Sequence, residues 1–140
     1  MKKVFKYMLL IPACIGMLVS CSEAKTDAKL LDGKWTIVKV NGEKAEAENT
    51  PTMEFNMADK KLHGNAGCNI YNATLTLDDK DISAVTIGQA MSTMMACPDM
   101  ETEGKVLKSM EQVRSVKAGQ NENEMLLVDA EGNVLFVLSR

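Results

Sequence analysis

The chain has 140 residues, of which 16 are basic and 19 acidic, with a formal net charge of −3 and 46% hydrophobic side chains. That length suits one domain with an ordinary core and leaves little room for a second. The acidic balance, with no Lys/Arg run longer than two after residue 20, argues against nucleic acid or a bare anionic membrane surface as a partner.

In chain order the first element is a leader. Lys2, Lys3 and Lys6 precede or open an apolar run from Tyr7 to Val19, and Leu18-Val19-Ser20-Cys21 closes it. A basic head, a short apolar stretch and small residues before a cysteine mark a secretory signal peptide over residues 1–20. The run is shorter than the roughly 20 apolar residues a spanning helix needs. Its ending resembles a bacterial lipobox, in which Cys21 is lipidated and becomes the new N-terminus. Several acyl chains would then hold the protein far more firmly than one myristoyl chain. Ordinary secretion with cleavage near Ser20, or an uncleaved anchor, are the alternatives. Removing the three lysines of the leader from 16 basic residues leaves 13 against 19 acidic ones, a net charge of −6. Ser22 stands where an aspartate would retain an enterobacterial lipoprotein in the inner membrane. The expected address is therefore the bacterial envelope, on the periplasmic face of the outer membrane or the cell surface.

Cysteine usage agrees with export. Cys14 lies in the leader and Cys21 would carry lipid, so Cys68 and Cys97 remain in the domain. Two cysteines in an oxidising compartment invite a disulfide, with two buried free thiols as the alternative.

Residues 21–29 read as a lipidated polar tether, and residues 30–140 as the folded domain. Trp35 to Val40 is rich in strand formers after the turn signal Leu31-Asp32-Gly33, and Asn41-Gly42 marks a tight turn. Glu43 to Thr50 is polar and ends at Pro51, as a loop does. Thr52 to Met57 and Lys60 to Asn65 are expected to pair around Ala58-Asp59. Tyr71 to Leu77 alternates like a half-buried strand, and Ile82 to Ile87 is a further strand beyond the Asp78–Asp81 turn. Met125 to Val128 and Val134 to Leu138 flank a hairpin turn containing Gly132. One helix is predicted over about residues 98–117. Pro98 suits its first turn, Asp99, Glu101 and Glu103 complement its dipole, and Met100, Val106, Leu107, Met110 and Val113 recur at helical spacing. Lys105, Lys108, Arg114 and Lys117 fall towards its end, and Gly119 can terminate it. The expected class is mainly β (α+β): short antiparallel strands with one amphipathic helix over an apolar face.

Three segments together resemble the META domain family of HslJ-like bacterial lipoproteins. They are Leu31-Asp32-Gly33-Lys34-Trp35 with Val40-Asn41-Gly42, then His63-Gly64-Asn65-Ala66-Gly67-Cys68-Asn69-Ile70-Tyr71, and then Met91-Ser92-Thr93-Met94-Met95-Ala96-Cys97-Pro98. The resemblance implies a small curled antiparallel sheet, lipocalin-like in outline, with one helix packed on it. It also implies a link to envelope stress and antibiotic tolerance without an established reaction. Many members carry Arg or Lys where Met94 stands here, so an anion-binding role at that position does not carry over.

Chemistry-bearing residues are few. His63 is the lone histidine, sits beside a turn and has no nucleophile placed with it by any motif, so a surface role is expected. Asp78, Asp79 and Asp81 do not meet the spacing of a calcium loop and fit ordinary turn chemistry. Met91, Met94, Met95 and Met100 bracket Cys97, a soft donor set suited to Cu(I) if the thiolate is free. Packing under the helix is the competing use, and the one expected. Asn65 and Asn69 are expected to serve turns, although Asn69, with Met94 and Met95, is also a candidate ligand contact. The start of the helix is the remaining candidate for a small polar site, with its acidic first turn set against an anion. No cofactor, metal or catalytic set is expected. The chain is expected to be a lipid-anchored, non-enzymatic interaction or stability module with envelope proteins as partners; a lipocalin-like small-molecule carrier is the alternative.

Overall fold

Alternation of buried and exposed residues builds the sheet strand by strand. The computed structural model describes residues 24–140, so the leader, the lipobox and Cys21 lie outside the described residues. Ten strands follow: β1 Gly33–Val40, β2 Glu43–Lys44, β3 Thr52–Asn56, β4 Lys61–Asn65, β5 Ile70–Leu77, β6 Val85–Ile87, β7 Met91–Ser92, β8 Ser115–Ala118, β9 Glu124–Val128 and β10 Val134–Ser139. One helix, α1, spans Glu101–Met110. The strands run in the order β6-β5-β4-β3-β1-β10-β9-β8, with β2 on β1 and β7 on β5, and their pairings are antiparallel. The ends of this order nearly meet. Ala84 bridges Ser115, Val85 N donates to Arg114 O and Val116 N to Ser83 O. The sheet is therefore a nearly closed barrel, as the curled sheet of the sequence reading implied.

Two local devices keep the strands in phase. Asn41 and Gly42 both adopt positive φ, at 51° and 79°, which is the backbone a tight hairpin turn with the strand twist demands. In β1, Ile37 pairs with Leu138 and Lys39 with Val137, leaving Val38 as an extra, exposed residue. This bulge shifts the alternation by one, so that Val40 faces inward like Trp35 and Ile37.

The barrel interior is filled by side chains. Trp35, Phe55, Tyr71 and Phe136, with Leu62 and Leu127, are fully buried. Their polar handles are satisfied, as burial requires. Trp35 Nε1 donates to Leu31 O at 2.7 Å, and the Arg140 guanidinium stacks 3.8 Å from the Trp35 ring centroid. Tyr71 Oη donates to Thr52 O at 2.6 Å across Gly64, and burial pushes its phenol pKa up.

The two ends of the barrel are closed differently. At one end a 3-10 turn, Ala28–Leu31, buries Ala28 and Leu31, and Ala28 N donates to Ile82 O at 2.7 Å. The domain thus begins at Ala28, two residues before the expected start: Asp27 caps this turn by accepting from Lys29 N, so the end of the expected tether is folded. At the other end lies α1, tied to the β1–β2 hairpin. Lys105 pairs with Glu43 at 2.6 Å, Thr102 Oγ1 donates to Glu46 O and Asn41 Nδ2 to Ser109 Oγ.

The expected helix over 98–117 is too long at both ends. The Asp99 carboxylate accepts from Glu101 N, so Pro98 lies outside the helix. At the C-terminal side Arg114 Nη1 donates to the carbonyls of Glu111 and Val113, holding the chain as it leaves the helix. Ser115–Ala118 then pairs with β9 instead of continuing the helix. Val113 kept helical spacing because it is buried by the turn, not because it is helical. Gly119 sits beyond a strand, where a Cβ would meet Glu124 at 2.5 Å. Two short strands, β2 and β7, fall where a loop or no element was expected.

Candidate functional site

Asn69 organises the end of the barrel that carries α1. It follows β4 and Gly67, whose φ of 126° and close approach to Ala47 leave no room for a side chain. Asn69 is 2% exposed, and its amide is saturated. Oδ1 accepts from Thr93 Oγ1 and Met95 N, both at 2.8 Å. Nδ2 donates to Met95 O at 3.0 Å and to Glu103 Oε2 at 2.8 Å. The backbone N of Asn69 completes the pair by donating to Glu103 Oε1 at 2.5 Å.

Glu103 is 4% exposed, and sequence reasoning, which placed it only in the acidic first turn, missed its burial and its partner. Glu103 stands in the first turn of α1, where a carboxylate favours the helix dipole. Its side chain takes both of its hydrogen bonds from Asn69, outside the helix. An acidic residue at this helical position signals a cap, but its partner across the fold has no local signature. At the helix start, expected to be a candidate small polar site, the Asp99 carboxylate accepts from Glu101 N, while the Glu103 carboxylate is turned to Asn69.

Cys68 and Cys97 are joined, with Cα atoms 6.3 Å apart across 29 residues of sequence. The thiolate that a Cu(I) set would need is thereby consumed. Asn65 serves a turn, as expected, with Oδ1 accepting from Gly67 N at 2.7 Å.

The methionines do not pack under the helix. Met91, Met94, Met95 and Met100 are 79%, 93%, 57% and 39% exposed; at Met95 it is the backbone N–H and C=O that bond to Asn69, which leaves its side chain free of that network. Met94, Met95 and Met100, with Ala96, Gly104 and Leu107, line an apolar groove of about 450 Å³ beside Asn69 and Glu103. Of the candidate ligand contacts, Met94 and Met95 are therefore surface groups in the groove wall, and Asn69 is a buried structural node at its edge.

The remaining candidates lie elsewhere. His63 is exposed on β4 and its Nδ1 is 2.9 Å from Asn72 Oδ1. Asp78 and Asp81 serve their own turn by accepting from Lys80 N and from Ser83. A second groove, of about 640 Å³, lies at the opposite end near Asp32, Phe55, Met57 and Leu77. Among the described residues no three His, Cys, Asp or Glu side chains are grouped to hold a metal.

A nearly closed antiparallel barrel, plugged at one end by a 3-10 turn and capped at the other by a disulfide-pinned helix, defines a small β-rich class. The chain belongs to the META domain family, whose model matches residues 28–140. It is similar in fold to a protein from Burkholderia xenovorans solved by NMR, with a TM-score of 0.59 and 21% identity over 80% of this chain and 84% of that one. No curated protein matches the chain.

Proposed function

We propose that this protein is a bacterial envelope lipoprotein, tethered through Cys21, that acts as a non-enzymatic interaction module for envelope proteins under stress. One observation carries the reading: an exposed apolar groove lies at the far end of the barrel from where the described chain begins. Lys25 pairs with Asp81, and Ala24 to Thr26 run beside Ser83 and Ala118, at the end away from α1. An eight-residue strand such as β1 or β5 separates the two ends by roughly 26 Å. A chain tethered at one end would thus present the methionine groove away from its anchor. Exposed apolar surface of this kind marks interaction sites. The carrier alternative draws less support, because the interior positions of the barrel are occupied by Trp35, Phe55, Tyr71 and Phe136.

The test expresses the full precursor in a bacterial host with a labelled fatty acid. Acylation is expected in the parent and absent in Cys21→Ala; label retained in that variant would overturn the anchor. A photo-crosslinking side chain in place of Met94 should capture a defined envelope protein that the same group in place of His63 does not. Identical capture from both positions would overturn the groove as the interaction face. Native mass spectrometry that finds a small molecule released on denaturation would favour the carrier.

A further inference from the structure

Thioether chemistry sets this groove apart from an ordinary apolar patch. A methionine sulfur keeps its lone pair at every pH, and two-electron oxidants convert it to the sulfoxide, a polar group. Access to the sulfur decides which methionine reacts. Met53 and Met110 are fully buried, Met125 is 7% exposed and Met57 is half-buried, whereas the four exposed methionines of the described chain all fall between residues 91 and 100. Their backbone is held from two sides, by the Cys68–Cys97 disulfide and by the Asn69 bonds to Met95. The hydrogen bonds of that scaffold use backbone, amide, hydroxyl and carboxylate atoms and no thioether. With Cys97 already oxidised, no thiol at this place competes for an oxidant.

We propose that Met94, Met95 and Met100 in the groove wall, together with the exposed Met91 on strand β7 outside it, form a surface sulfoxidation site, which consumes two-electron oxidants of the hypochlorous acid class and is restored by thiol-dependent sulfoxide reduction. In the forward step the sulfur lone pair attacks the chlorine of hypochlorous acid, and hydroxide leaves. Water then adds to the chlorosulfonium sulfur, and chloride and protons depart. The net change is thioether plus HOCl to sulfoxide, chloride and one proton, with sulfur losing the two electrons that chlorine gains. Restoration takes two thiols to a disulfide and releases the oxygen as water. The site works at the surface, so the fold persists while the groove turns from apolar to polar. The loss of groove binding that this implies rests on the interaction reading above; the sulfoxidation itself does not.

The experiment treats the purified protein with limiting hypochlorous acid, quenches it and maps sulfoxides by peptide mass spectrometry. The four positions should react at least about tenfold faster than Met53 and Met110, since a buried sulfur is reached only through opening of the structure. The melting transition should stay in place, and sulfoxide reductases of both stereochemical types with dithiothreitol should restore the mass. Equal rates at Met53 and Met110, loss of the transition when only the four have reacted, or sulfoxides that resist both reductases would each overturn the proposal. A variant with leucine at all four positions should melt like the parent and lose the fast phase of oxidant uptake; a fast phase that survives would also overturn it. Sulfoxidation as expected, with crosslinking at position 94 unchanged by it, would overturn the groove-binding reading alone.

Discussion

Asn69 joins three separate stretches of chain: its own segment before β5, the Thr93–Met95 backbone and the first turn of α1. Removing its amide leaves Met95 N and one oxygen of the buried Glu103 carboxylate without partners. Asn69→Ala should therefore lower the free energy of unfolding by about 2–4 kcal/mol, read from the urea midpoint at constant m-value. Two glycines make a sharper contrast. A Cβ at Gly64 would lie 2.1 Å from Thr52 O and 2.6 Å from Tyr71 Oη, so Gly64→Ala should cost about 2–3 kcal/mol by overpacking and by disturbing their hydrogen bond. Gly104, inside α1, has nothing within 4 Å of a Cβ, and Gly104→Ala should stabilise by about 0.5–1 kcal/mol. Opposite signs in paired thermal melts check both. The turn roles of Asn65 and of Asn41-Gly42 were legible in the sequence because each is satisfied within a few residues. The Asn69–Glu103 pair was not, since 34 residues separate its partners and only the fold brings them together.

At the scale of elements, hairpins were read better than helix ends. The β9–β10 hairpin was legible because Asp129 accepts from Glu131 N and Asn133 N within the same turn. The true end of α1 was not. Val113 and Val116 are buried at spacings that a helix or a strand can share, and pairing with β9 decides for the strand. The disulfide acts on the same scale by closing a loop across 29 residues of sequence, from the β4–β5 connection to the segment before α1, with β5, β6 and β7 inside it. On the chain-entropy model Cys68→Ser should cost about 3–4 kcal/mol in oxidising buffer. An equivalent drop on reducing the parent, with no further drop on reducing the variant, is the expected pattern.

For the whole molecule, three carboxyls, one exposed and two half-buried, are held below their usual range. Side-chain hydrogen bonding from Lys105 lowers Glu43, hydrogen bonds from Ser83 lower Asp81, and the Asn133 backbone N–H lowers Asp129. A carboxyl depressed in the folded state contributes stability above its unfolded pKa. As acid is added the unfolded chain takes up protons first, so that contribution fades as the pH falls through and below about 4. The urea midpoint should accordingly decline in that window. Asp129→Asn, which retains a turn acceptor while removing the titration, should make the decline shallower. A midpoint flat below pH 4 would contradict the assignment.

The sequence by itself determined a mainly β domain with one helix, the main hairpin turns, the two cysteines available to pair and the family to which the chain belongs. These follow from short-range alternation, turn chemistry and motif spacing, which neighbouring residues carry without reference to the rest of the chain. Only the tertiary structure decided that the sheet nearly closes, that Glu103 is buried against Asn69 and that the methionines face outward. Burial is a property of what packs on a residue from distant parts of the chain. A methionine run reads as core material until the fold leaves its side chains at the surface.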